Sequence, residues 1–303
     1  RENMIRNTTQ AKAGGIPRLA LINSFAGFGR CSTTIALPVI SVMKVQACPV
    51  PTSVLSNHLG FSTCYFDDYT AHMREYLHAW AQLQITFDGL YCGFLGSVDQ
   101  ITIVKEFLAG PTMRKESALP IFLLDPVMGD HGKAYRTYTE EMCNRLAELV
   151  HVADVITPNL TEACMLLKIP YISDGLSRVQ ARSLLAKLGE LGPNYVVITG
   201  VQLATGEMAN IGYDKANNSY WVVSCDYVPV SYPGTGDIFA SVLTGAFLTG
   251  DSLPIAMGRA TYFVERCIKT TFSYSSDTRY GVMLEKELSV LTSNANRKDF
   301  SIL

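Results

Sequence analysis

The feature that most constrains this chain is a repeated alternation of short apolar runs with longer, helix-patterned segments. Leu19-Ala20-Leu21-Ile22 is an apolar run that ends in polar and glycine residues, as a buried strand does. Comparable runs recur at 45–50, 89–94, 121–125, 155–157 and 195–199, the last a β-branched run typical of an inner strand. Between them the spacing predicts helices over 32–43 (with Pro38 kinking the chain), 68–83 (capped by Asp67), 98–109, 139–150, 160–167 and 177–190. Two weaker runs, 207–213 and 219–225, flank Asp214 and Asn218 and predict a hairpin, and further helices are expected over 237–249, 253–272 and 282–291. Such alternation implies an α/β fold whose mostly parallel sheet is covered on both faces. Ligands bind such sheets beyond the carboxyl ends of the strands. The informative residues are then those just after each run: Asn23-Ser24, Pro51-Thr52, Gly93-Phe94, Asp125-Pro126, Thr157-Pro158-Asn159 and Thr199-Gly200.

A sheet buried on both faces needs few charges, and the composition agrees. Charged residues make up 17% of the 303 positions and hydrophobic ones 48%, against roughly 25% charged in an average soluble domain. The formal net charge of −2 gives no electrostatic footprint for nucleic acid or an anionic membrane, and the apolar content is too high for a disordered chain. The longest charge-free run, 45–66, contains Pro49, Pro51, Asn57 and His58 and does not suit a lipid-facing helix. Residues 1–17 lack the apolar core of a secretion signal and are expected to form a flexible tail, leaving 18–303 as a single domain. None of the eight cysteines forms a CxxC pair or stands at zinc-ligand spacing from a histidine, so free thiols of a reducing, cytoplasmic protein are expected. Tyr69, Met73, Tyr76, Leu77, Trp80 and Leu83 fall on one helical face and read as a core-facing seam.

Three motifs carry chemistry. Gly234-Thr235-Gly236-Asp237 opens an apolar helix. Two glycines allow close approach of a ligand, and the unpaired first-turn N–H groups together with the helix dipole make an anion hole. Asp237 beside it suits either an N-cap or a base that activates an alcohol. Thr157-Pro158-Asn159-Leu160-Thr161-Glu162 places Asn159 and Glu162 on one turn, where they can form a capping box or order a hydrated Mg²⁺ carrying nucleotide phosphates. Asp125 and Asp130 follow a buried run, where acids need a partner or a cation unless the segment is a polar turn. Gly27-Phe28-Gly29-Arg30-Cys31-Ser32 lacks the third glycine and the downstream acid of a dinucleotide fingerprint. His58 can line a pocket or serve as a structural histidine.

Taken with Pro51-Thr52-Ser53-Val54-Leu55-Ser56-Asn57-His58 and Gly93-Phe94-Leu95-Gly96-Ser97, these blocks resemble the ribokinase-type small-molecule kinases, and among them the pyridoxal/pyridoxamine (vitamin B6) kinases, from about Arg18 to Leu291. The resemblance implies a three-layer α/β/α ribokinase-like fold, a homodimer, and transfer of the ATP γ-phosphoryl group to the 5′-hydroxymethyl of a B6 vitamer. A hydroxymethylpyrimidine kinase, or a non-catalytic vitamin-binding protein, would share the fold. Asp237 would then be the base, with Gly234, Thr235 and Gly236 holding phosphoryl oxygens. Asp125, Asp130, Thr157 and Glu162 would manage Mg²⁺ or a monovalent cation (K⁺ or Na⁺), mostly through water. Asn159, Thr199, Gly200 and Val228, with Asp125, Glu162 and Thr235, would line the ATP site. Ser24, Thr52, His58 and Phe94 would contact the vitamer. Phe94 stands where many relatives carry Tyr, Leu59 and Cys92 where they carry Thr, and Asn23 where close relatives often carry Asp.

Overall fold

A computed structural model describes residues 15–113, 121–135 and 138–303. In chain order the elements are β1 (Arg18–Phe28), α1 (Thr33–Val42), β2 (Gln46–Asn57), β3 (Phe66–Asp68), α2 (Thr70–Gln82), β4 (Gly89–Cys92), α3 (Val98–Ala109), β5 (Ile121–Leu124), β6 (Gly129–Asp130), β7 (Lys133–Ala134), α4 (Glu140–Val152), β8 (Val155–Ile156), α5 (Leu160–Leu167), α6 (Arg178–Glu190), β9 (Tyr195–Gln202), β10 (Met208–Asp214), β11 (Ser219–Cys225), α7 (Thr235–Leu248), α8 (Leu253–Ser273) and β12 (Ser301–Ile302). The main sheet has the order β12-β11-β10-β9-β8-β5-β4-β1-β2-β3. Its centre, from β9 to β2, is parallel, and the flanking strands are antiparallel. The α/β, mostly parallel expectation is met.

The strand pleat sorts side chains between two cores. Ala20, Ile22, Leu90, Leu124 and Ile156 join the core under α2 to α6. Leu19, Leu21, Tyr91, Leu123 and Val155 join the opposite one, under α1, α7 and α8. These are the outer layers of a three-layer α/β/α sandwich. Each large side chain fully buried this way contributes about 1.5–3 kcal/mol, so both faces must be apolar and the strands read as continuous apolar runs.

Several sequence expectations are corrected. β1 and β2 continue past a bulge at Asn23/Phe25 to Phe28 and Asn57, so Ser24 and Thr52 lie within strands rather than beyond them. Thr199 and Gly200 likewise lie within β9. The cap of α2 is Tyr69, and Asp68 rather than Asp67 accepts the Thr70 N–H at 2.8 Å; Asp67 pairs with Val54 instead. Leu83 is 72% exposed, off the seam that Met73 and Leu77 bury. The helix expected over 282–291 is two short 3₁₀ turns, Leu284–Lys286 and Leu288–Thr292. There the buried Glu287 turns its carboxylate to Arg266 and Thr270 on α8, and these tertiary bonds outweigh local helical spacing. Strands β3, β6, β7 and β12 are too short to carry a periodic signal. The hairpin β10–β11 forms as expected, and all eight cysteines are free. The expected N-terminal tail lies mostly outside the described residues.

Candidate active site at the carboxyl edge of the sheet

At this edge the sheet opens between β1 and β4, whose pairing ends at Ile22 and Cys92. α7 runs across β4 and β5 and points its first turn into the opening. Gly234, not Asp237, is the N-cap of α7, with φ of 82°. A Cβ at Gly234 would stand 2.3 Å from the Arg30 carbonyl oxygen, whereas one at Gly236 would meet nothing within 4 Å among the described residues. The first glycine is therefore demanded by fold and conformation; the second leaves open space in front of the first-turn N–H groups. Among the described residues no side chain caps this helix, so its positive end faces that space.

Asp237, freed from capping, reaches across to the start of the chain. Its Oδ2 accepts the Ser32 main-chain N–H at 2.9 Å and its Oδ1 the Asn23 carboxamide at 3.2 Å. Ser32 is delivered by a loop in which Gly29, Arg30 and Ser32 all have positive φ. Strain at non-glycine residues of this kind costs about 1–3 kcal/mol each and gathers at functional sites. Burial pushes the Asp237 carboxyl above its ordinary range, opposed by the Ser32 N–H, the Asn23 amide and the neighbouring Tyr91 phenol. That phenol is wholly buried, and among the described residues its hydroxyl finds no partner at full hydrogen-bond geometry.

Two more acids lie nearby. Burial, and then the charge of Asp237, push Asp125 up to about 7, against the pull of the Thr157 hydroxyl, which donates to Oδ1 at 3.0 Å. Glu162 is raised well above the usual range by burial and by Asp125. It nevertheless accepts the N–H groups of Asn159 at 2.8 Å and Met128 at 3.1 Å, while Asn159 Oδ1 accepts the Glu162 N–H at 2.9 Å. The capping box is thus real, and the second Asn159 polar group is also spent, donating to the Gly129 carbonyl at 2.8 Å. Asp130 sits at the turn of the β6–β7 hairpin, half-exposed, 3.5 Å from His131. Among the described residues no three His, Cys, Asp or Glu side chains come together to bind a metal ion directly. The chemistry of the set, buried acids charging one another upward, fits a cation held largely through water.

The remaining expected residues divide into two groups. Ser24 is buried and shares a 2.8 Å hydrogen bond with Ser32 Oγ, and Thr52 donates to the Phe94 carbonyl at 3.0 Å; with the half-buried Phe94 they line one side of the opening. His58 lies at the rim, its polar atoms already engaged: Nδ1 accepts the Gly60 N–H at 3.0 Å, so Nε2 carries the proton and donates to the Arg279 carbonyl at 2.6 Å. On the other side Thr199 bridges to Asn159, and Gly200, at φ of 62°, donates to Asn210 Oδ1 at 2.9 Å. Val228 is half-buried in the segment leading to α7. Sequence reasoning missed Tyr91, Asn210 and the role of Asn23; each acts through a partner remote in sequence, and no local pattern marks it.

Residues 37–281 match the family model described as phosphomethylpyrimidine kinase. A Bacteroides thetaiotaomicron protein assigned to the phosphomethylpyrimidine kinases is 38% identical, aligns over 97% of this chain and 100% of its own, and superposes with a TM-score of 0.91. A second crystal form of that protein contains pyridoxal. The pyridoxal kinase of Lactobacillus plantarum is 27% identical, with 91% of this chain and 97% of that one covered and a TM-score of 0.83. The pyridoxal kinase of Corynebacterium diphtheriae is 25% identical over 272 residues, 88% of this chain and 93% of its own.

Proposed function

The chain belongs to the phosphomethylpyrimidine kinase family, and from that premise we propose that it is an ATP-dependent kinase that phosphorylates the 5′-hydroxymethyl group of a vitamin B6 vitamer. The observation that carries the reading is the placement of Asp237. It lies in the first turn of a helix whose N-terminus faces open space, and its carboxylate is held by remote donors rather than spent on capping. A base and an anion hole side by side are what transfer to an alcohol requires. Vitamin B6 as the acceptor is supported by the pyridoxal in the Bacteroides relative and by the run of curated relatives named pyridoxal or pyridoxine kinase.

In this reading Asp237 accepts the proton of the acceptor hydroxyl as its oxygen attacks the γ-phosphorus and the bond from that phosphorus to the β,γ-bridging oxygen breaks, ADP leaving with the electron pair. The main-chain N–H groups of Gly234, Thr235 and Gly236 stabilise the charge gathering on the phosphoryl oxygens. Ser24 and Thr52 orient the vitamer's polar groups, Phe94 packs near the ring, and His58 holds the rim. Asn159, Thr199, Gly200 and Val228 border the nucleotide. Asp125, Thr157 and Glu162, with Asp130 further out, would hold a hydrated Mg²⁺ or a monovalent cation, which when bound supplies charge neutralisation for the phosphates. Phosphoryl transfer is mostly positioning and charge stabilisation, and these residues supply both. Among the described residues no helix is long and apolar enough to cross a membrane; a cytoplasmic homodimer is the accompanying proposal.

A second reading, hydroxymethylpyrimidine as acceptor, is favoured by the description of the matching family model. Initial rates with ATP and Mg²⁺ on pyridoxal, pyridoxamine, pyridoxine and hydroxymethylpyrimidine separate the two. Higher kcat/KM on a B6 vitamer is expected; preference for the pyrimidine would replace the first reading, and background ATP turnover with all four would leave a binding protein.

A further inference from the structure

Asn23 stands where the opening between β1 and β4 begins, wholly buried. Its side-chain oxygen accepts two main-chain N–H groups, from Ser24 at 2.8 Å and from Phe94 at 3.0 Å. With two donors aimed at one atom the carboxamide has a single workable orientation, because the flipped form would face N–H against N–H. Its nitrogen must then point the other way, and there it meets Asp237 Oδ1 at 3.2 Å. The room for this comes from Gly93, where a Cβ would lie 2.4 Å from the Asn23 nitrogen. One small amide thus ties the main chain at the Phe94 wall to the carboxylate 214 residues away.

We propose that Asn23 is a positioning residue for phosphoryl transfer: anchored to the main chain of the acceptor wall, it holds the Asp237 carboxylate ionised and aimed at the acceptor hydroxyl. This rests on the kinase reading above and goes beyond it, since it assigns the alignment of base and acceptor to a residue outside the expected site set. Among the described residues, the charged and titratable groups acting on Asp237 are Tyr91 from β4, Asp125 after β5, Cys31 from the β1–α1 loop and Tyr135 after β7. These are acids or neutral groups, so the Asn23 amide and the Ser32 N–H, with the Tyr91 phenol, carry the stabilisation of its charge. Asparagine is the side chain that can take two N–H donors on one atom and donate to a carboxylate from the other. Aspartate there, the residue close relatives often carry, would keep the first contact and turn the second into repulsion in this chain, where no cation among the described residues acts on Asp237 to offset it.

The test uses Asn23→Asp, Asp237→Asn and the double variant, with steady-state kinetics and thermal unfolding at pH 8. Asn23→Asp is expected to lower kcat by about 10²-fold or more, as loss of an aligned base does, with KM for ATP within about twofold. Its Tm should fall by about 3–6 °C. Adding Asp237→Asn in the same chain removes the opposed carboxylates and should restore Tm while turnover stays lost. Wild-type kcat in Asn23→Asp, or a Tm deficit that the second substitution leaves in place, would overturn the proposal. If the wild type phosphorylates no hydroxymethyl acceptor, the kinase reading fails by itself. The thermal cycle still decides on Asn23: restoration upholds its hold on Asp237 and non-restoration rejects it.

Discussion

Ser32 donates its main-chain N–H to Oδ2 of Asp237 at 2.9 Å, joining the strained loop after β1 to the first turn of α7 across 205 residues. The bond fixes the carboxylate against the sheet edge. A donor that is a main-chain group on a loop of left-handed residues cannot be re-aimed by changing a side chain.

Asp237→Asn should retain the fold and ATP affinity and lose about 10²–10⁴-fold in kcat, the usual contribution of a general base. Only one polar atom of the new amide can accept, so one of the Asn23 and Ser32 donors loses its partner, at about 1–3 kcal/mol. Turnover, nucleotide titration and Tm measured together check this; near-normal turnover would remove Asp237 from the mechanism.

The buried acids set a pH dependence with opposite signs for activity and stability. Asp237 must be ionised to act and its carboxyl is raised, so the acid limb of kcat should lie above the ordinary aspartate value of about 3.9. For stability, Asp125 is raised to about 7 in the folded chain, so the folded state binds more protons than the unfolded one between about 4 and 7. Its contribution is full below that window and is lost as pH rises through it. Tm of the cation-free protein should decline from pH 4.5 to 8, Mg²⁺ should recover part of the loss, and Asp125→Asn should flatten the slope. A rise of wild-type Tm across the window would contradict the assignment.

Two glycines two positions apart should respond differently. Gly234→Ala puts a methyl 2.3 Å from the Arg30 carbonyl at φ of 82° and should cost several degrees of Tm, as a backbone clash at a special φ does. Gly236→Ala meets nothing within 4 Å among the described residues and replaces glycine by a better helix former, so Tm should hold or rise. Its methyl instead enters the open space before the first-turn N–H groups, and KM for ATP or kcat should worsen by about tenfold, a barrier change of about 1.4 kcal/mol. Equal kinetics for Gly236→Ala and wild type would show that the phosphates lie elsewhere.

Asn210 offers a test remote from the reacting atoms. It accepts the Gly200 N–H and donates to the Thr261 hydroxyl at 2.8 Å from a buried position. Asn210→Leu leaves both groups unpaired, costing about 1–3 kcal/mol, and releases the left-handed turn at Gly200. KM for ATP should rise more than KM for the acceptor, and isothermal titration with each ligand would show it. An equal change in both would make Asn210 a general structural support.

The local signals were legible. Each strand buried on both faces reads as an apolar run, and the Asn159 and Glu162 capping box is written within four residues. The Gly234-Thr235-Gly236-Asp237 block announces an open helix start, although spacing alone does not say which residue caps it. Asp237 illustrates the limit: an acid in a first turn favours capping, and only the approach of Ser32 and Asn23 turns its carboxylate outward.

The sequence by itself determined the alternation and the parallel sheet, because these follow from periodicity and turn chemistry over a few neighbours. Only the tertiary structure decided that 282–291 breaks into 3₁₀ turns around the Glu287 contacts to α8, that β1 and β2 run on past the bulge, and that Asn23, Tyr91, Asp125 and Asp237 meet. Those outcomes depend on hydrogen bonds and charges between groups up to 214 residues apart, whose strength is set by burial that no local window of sequence contains.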